Sequence, residues 1–225
     1  MFEIYLKSIK IENVRNLNNL RIDVSENERK NIIITGKNGT GKTSLLNAMV
    51  DNLNYLLQEG DYSRIEENIT MFQNALETEK RNGASENEVA KTLESVKTWE
   101  TKLEIAKAGV LLALNVPINS LKSHFDNNDF IVAAYKANRN FAATIPSHVE
   151  NVVLKDRYSL FEAPRSEFVK YLLDLKMKEA LSRTSGKNET ADTIHSWFAK
   201  FDGLLKTIFE DETTQLEFDE ETFKF

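Results

Sequence analysis

Three of the chain's eight glycines, Gly36, Gly39 and Gly41, fall within six residues, and Lys42 and Thr43 follow directly. Glycines let backbone amides curl inward, a lysine brings a mobile cation, and a hydroxyl brings a hard oxygen ligand. The stretch Gly36-Lys37-Asn38-Gly39-Thr40-Gly41-Lys42-Thr43 fits G-x-x-x-x-G-K-[ST] without a mismatch. Such a loop cradles the β- and γ-phosphates of a nucleotide, with Lys42 on the same oxygens and the Thr43 hydroxyl turned to a magnesium ion. Ser44 completes the candidate set. The competing reading is a glycine-rich strand-to-helix turn with an accidental lysine. A dinucleotide fingerprint fits less well, because Ser44 stands where the third glycine of G-x-G-x-x-G belongs.

Phosphate chemistry at this loop needs a strand before it and a helix after it, so that the helix N-terminus points its positive dipole end at the anion. Asn31-Ile32-Ile33-Ile34-Thr35 is a β-branched run that predicts a buried parallel strand. Leu46, Met49, Val50 and Leu53 recur at helical spacing and predict the helix. Farther upstream, residues 6–17 and 19–24 read as two alternating strands around a short polar turn.

With these residues in place, the chain resembles the N-terminal lobe of the SMC/RecF/OLD-like ABC-type ATPases. The likeness rests on a first strand ending in Asn13-Val14-Arg15-Asn16, a second strand, and then Ile33-Ile34-Thr35-Gly36-Lys37-Asn38-Gly39-Thr40-Gly41-Lys42-Thr43-Ser44-Leu45-Leu46-Asn47-Ala48. It is specific over residues 4–53, about a quarter of the chain. The implied fold is α/β, a P-loop NTPase N-terminal lobe with a mixed sheet and a helical-hairpin insertion. The resemblance also implies ATP as ligand, Mg2+ as cofactor and head-to-head homodimerisation that closes ATP between subunits. By position it implies that Asn13, Arg15 and Asn16 lie near the phosphates and that Asn38 is the central asparagine of the loop. For Arg15 a solvated strand end is the alternative.

Related ATPases complete their site with an L-S-G-G-Q-like signature and an apolar strand ending in Asp-Glu, and neither pattern occurs in these residues. The apolar runs 109–114 and 130–135 lead into Asn115 and Lys136. The expectation is therefore the first half of a longer ATPase, in which catalytic residues are not assigned and this segment alone does not turn over ATP. Two readings from other classes stay open. One is a complete small P-loop kinase or NTPase, which needs its own magnesium-binding aspartate; the other is a scaffold that uses nucleotide only to order its fold.

The remaining sequence divides by pattern. Residues 1–60 hold the strand pair, loop and following helix. Residues 61–108 read as a helical hairpin: Ser63-x-x-Glu66 and Ser85-x-x-Glu88 are capping-box patterns, Ile65, Ile69, Phe72 and Leu76 form one apolar stripe, and Val89, Leu93, Val96, Trp99 and Leu103 form the other. The expected packing is on its own lobe, with a protruding partner-binding arm as the alternative. Residues 109–165 should supply further strands, with one at 130–135 and a short one at 152–154. Asn138 and Arg139 follow the former, where related ATPases sense the γ-phosphate; a solvated strand end is the equal alternative. Residues 166–225 predict two helices, an unstructured polar linker at 183–188 and a closing β-hairpin.

Net charge is −6, and residues 201–225 carry two basic and eight acidic residues, which account for all of it. Residues 165–187 hold six basic and three acidic residues, the best candidate for contact with DNA phosphates, although such a patch is more often the solvated face of a helix. With no cysteine and with His124, His148 and His195 far apart, disulfide, zinc-ribbon and thiol-nucleophile classes fall away. The longest uncharged run, residues 108–121, is too short and polar to span a bilayer, and charges interrupt any leader-like apolar stretch near Met1. A cytoplasmic protein is expected, acting on DNA or on a nuclease or other effector in repair or anti-phage defence.

Overall fold

The chain is described from a computed structural model that covers residues 3–135, 151–162, 164–219 and 221, arranged as two units that divide between residues 134 and 135. The first unit is built on a three-stranded sheet of β1 (Leu6–Val14), β2 (Leu17–Asp23) and β3 (Val110–Leu114) in the order β2-β1-β3. Both pairings are antiparallel. This corrects the expected mixed sheet. Period-2 alternation in β1 turns Ile9 and Ile11 to one face, where they join Val14, Val110 and Leu112. The helix α1 (Lys42–Glu59) lays Leu45 and Ala48 on that face to complete the core.

The run at 31–35 forms no strand, and Ile33 is 86% exposed. A β-branched run becomes a strand only when a neighbour takes its amides and carbonyls, and among the described residues no strand runs beside it. The stripe assigned to α1 is met in part, since Met49 and Leu53 pack against the core. The buried residues of the helix are Leu45, Ala48, Asn52, Leu56 and Leu57, whereas Leu46 is half exposed. Asn52 stands in the middle of the true stripe, and its polarity hides the spacing.

That asparagine is wholly buried and ties α1 to the hairpin. The hairpin comprises α2 (Ser63–Arg81) and α3 (Glu86–Lys107). Asn52 Nδ2 donates to the carbonyls of Ala106 and Lys107 at 3.1 and 3.2 Å and to the Tyr62 hydroxyl. Terminal helix carbonyls have no partner within their own helix, so a side chain from α1 caps the end of α3. Tyr62 stacks on Tyr55, and burial raises the Tyr62 hydroxyl above its ordinary range despite the opposing Asn52 hydrogen bond. Beyond this base the two helices pack on each other: Ile65 is the one fully buried residue of α2, and α3 buries Val96 and Ala106. Packing on the lobe is thus confined to the base.

The capping box at Ser85 forms, with the Glu88 amide donating to Ser85 Oγ and the Ser85 amide donating to Glu88 Oε2. The Ser63 pattern does not. Ser63 lies inside α2, whose N-cap residue is Tyr62 with no side-chain cap, and its amide donates to Asp61 Oδ1. After β3 the chain forms α4 (Ile118–Asp126), which the sequence reading had missed; it buries Leu121 beside α1.

Residues 130–135 form no strand, and Ile131 is 92% exposed. Residues 151–155 likewise form none, with Val153 exposed. The second unit is a helical hairpin of α5 (Arg165–Thr184) and α6 (Asn188–Phe209). The expected unstructured linker is a tight turn at Ser185 and Gly186, closed by the Lys187 amide on the Ser182 carbonyl at 2.8 Å. The helices meet through Phe168, Tyr171, Trp197 and Phe201, with Trp197 and Phe201 stacked at 5.4 Å. Leu204 and Ile208, placed on the apolar face of α6 by their spacing, are more than half exposed. The closing β-hairpin forms no strand among the described residues.

Candidate functional site

Gly41 caps α1 at φ +96, and the Leu45 amide donates to its carbonyl at 2.9 Å, so the glycine cluster leads straight into a helix N-terminus. Gly36 and Gly39 also have positive φ, +154 and +83. These are backbone states that side-chain-bearing residues rarely adopt. Residues 36–40 are exposed, Gly41 is buried and Lys42 is half-buried. Thr43 is exposed and Ser44 half-buried in the first turn of α1.

Lys42 folds back over the loop. Its ammonium donates to the Gly36 carbonyl at 2.7 Å and to the Lys37 carbonyl at 2.8 Å, and the Thr40 hydroxyl donates to the same Lys37 carbonyl at 2.9 Å. The cation therefore lies at the loop where the motif needs it. The ammonium thus sits beside the N-terminus of α1, which carries the positive end of the helix dipole.

Of the upstream candidates, Asn13, Arg15 and Asn16 are exposed at the β1–β2 end, with Arg15 at φ +53 in the turn. What joins that end to the loop is Leu17, a residue the sequence reading left without a role. A Cβ on Gly41 would lie 3.4 Å from Leu17 Cδ1, so β2 packs directly beneath the last loop glycine. Asn13 is in turn held by Gly109, whose carbonyl accepts the Glu12 and Asn13 amides at 2.8 and 3.2 Å. The signal for Gly109 was its place just past a helix end, where glycine is favoured. Asn138 and Arg139 lie outside the described residues.

Three of the six basic residues at 165–187 are matched from within. Lys178 pairs with the buried Asp174 at 2.6 Å, Arg183 with Asp192 at 3.1 Å, and Lys176 lies 3.6 Å from Glu179 and over the Phe198 ring. Among the described residues no group of three His, Cys, Asp or Glu side chains can hold a metal ion, and no helix is long and apolar enough to cross a membrane.

Comparison with known proteins agrees with the loop. A family model described as an AAA domain matches residues 8–217. No curated protein and no solved structure matches the chain. Since the family match takes in the sheet, the phosphate loop and both helical hairpins, the chain belongs to the AAA domain family of P-loop, nucleotide-binding ATPases.

Proposed function

We propose that this chain is an ATP-binding lobe of the SMC/RecF/OLD-like type, with the triphosphate held by the backbone of residues 36–43 and by Lys42. The single observation that carries the reading is Lys42 folded back onto the carbonyls of the glycine loop at the start of α1. On binding, its ammonium exchanges backbone carbonyls for phosphate oxygens, which makes a charge-assisted contact of the stronger kind. A magnesium ion carried in with the nucleotide would be met by the Thr43 hydroxyl, exposed in the first turn of α1, and would neutralise phosphate charge. One protein oxygen suits an ion whose remaining ligands are phosphates and water.

Asn13, Arg15 and Asn16 are proposed to line the rim, because Leu17 seats their turn against Gly41. ATP-driven pairing of two copies, acting on DNA or on an effector, is the proposed output, supported by the family resemblance alone.

The test is titration of the chain and of Lys42→Ala with Mg-ATP by calorimetry. Wild type should bind, and the variant should bind about ten- to a hundredfold more weakly, the worth of a charged hydrogen bond to phosphate. Equal affinities, or no saturable binding by wild type below about 1 mM, would sink the reading. Sedimentation of the same samples reads pairing: a Mg-ATP-dependent increase in size that Lys42→Ala lacks.

A further inference from the structure

The phosphate loop restrains its own lysine through a carbonyl that a second side chain fixes. Lys37 O accepts the Lys42 ammonium at 2.8 Å, the Thr40 hydroxyl at 2.9 Å and the Thr40 amide at 3.4 Å. A carbonyl oxygen has two lone pairs, so ammonium and hydroxyl fill both and the long amide contact is the weak third. The hydroxyl reaches this place across the base of the loop, where a Cβ on Gly36 would stand 2.9 Å from Thr40 Oγ1. Thr40 is exposed, and water would satisfy its hydroxyl in any other rotamer. In the motif, position 40 admits any residue, and nothing in that pattern gives its side chain a task.

We propose that Thr40 is a positioning residue for Lys42. Its hydroxyl keeps the Lys37 carbonyl turned into the loop, and that carbonyl together with Gly36 O parks the ammonium beside the cradle until a phosphate takes it. The parked lysine is thus held on carbonyls that an incoming anion must displace, so the restraint competes with binding. The consequence for affinity rests on the nucleotide reading above, whereas the restraint itself does not.

The experiment is acetylation of the full chain with N-hydroxysuccinimidyl acetate, without nucleotide, followed at each lysine by mass spectrometry. The nitrogen of Lys42 can attack only after releasing both carbonyls and a proton. Thr40→Val keeps the shape and removes the hydroxyl, and Lys42 should then be acetylated about fivefold faster than in wild type, the worth of one net hydrogen bond. Thr40→Ser should restore the wild-type rate, and the exposed Lys80 should react alike in all three chains. The same variants titrated with Mg-ATP should show Thr40→Val about fivefold tighter and Thr40→Ser restored, because a lysine held on carbonyls must release them before a phosphate takes it. Lys42 rates that agree in all three chains, or a serine variant as fast as the valine one, overturn the proposal. If wild type binds no Mg-ATP, the nucleotide reading falls, and the acetylation contrast still decides the role of Thr40.

Discussion

Replacing Gly109 with alanine should damage the first unit far more than its size suggests. The added Cβ would lie 2.0 Å from the Asn13 carbonyl oxygen, 2.9 Å from its carbon and 3.2 Å from Val14 Cγ2, at a residue whose φ is +73. Left-handed backbone costs alanine about 1–2 kcal/mol. The clash is with backbone, so β3 must move away from β1, loosening the bonds from the Glu12 and Asn13 amides to Gly109 O at about 1 kcal/mol each. Gly109→Ala should therefore lose about 3–4 kcal/mol, a large part of a typical domain's stability. Gly83→Ala is the matched control: its φ is +71, but a Cβ there meets nothing within 4 Å, so only the backbone cost of about 1–2 kcal/mol applies. The chain has two tryptophans, so urea unfolding followed through Trp99 in a Trp197→Phe background reports on the first unit alone. A Gly109→Ala loss within about 0.5 kcal/mol of the Gly83→Ala loss would refute the argument from the clash.

Two further outcomes follow from polar groups. Asn52→Ala strips the donor from the Ala106 and Lys107 carbonyls and from the Tyr62 hydroxyl, and should cost about 2–4 kcal/mol in the same unfolding assay; an unchanged midpoint would mean that α3 is capped some other way. At the capping box, hydrogen bonds from Ser85 side chain and backbone hold the Glu88 carboxyl below its ordinary 4.5, so the folded state favours the ionised form. That contribution is complete above the unfolded value and fades as pH falls through the lower folded value. Wild type should melt above Glu88→Gln at about pH 7, the gap should narrow as pH falls below the ordinary value of 4.5, and a gap that stays constant into acid would contradict the assignment.

The glycine-lysine cluster, the strand pair, the α2–α3 hairpin and the helices α5 and α6 were readable because each depends on local chemistry: positive φ, period 2 and period 3.6. The run at 31–35 misled because isoleucine signals a capacity to pair, and pairing depends on a neighbour. Asn52 misled in the opposite direction. It is a buried amide serving carbonyls 54 and 55 residues away, and nothing local to α1 marks that service. Within the site, the motif located Lys42, but only coordinates show that Leu17 packs under Gly41 and that Thr40 and Lys42 share one carbonyl. In the basic stretch at 165–187 a charge sum could not show that Lys178 pairs with Asp174, or that Arg183 pairs with Asp192 from the next helix.

Fastening the α2–α3 hairpin at its base makes it a pointer. Asn52 lies ten residues into α1 from Lys42, about 15 Å along the axis, and α2 with its 19 residues extends about 28 Å from there. By that length alone, each degree of tilt at the base carries the Gly83 turn through about 0.5 Å. A five-degree change in α1 then becomes a swing of about 2.5 Å at the tip, large enough to read as a distance change between labels on Gly83 and the sheet.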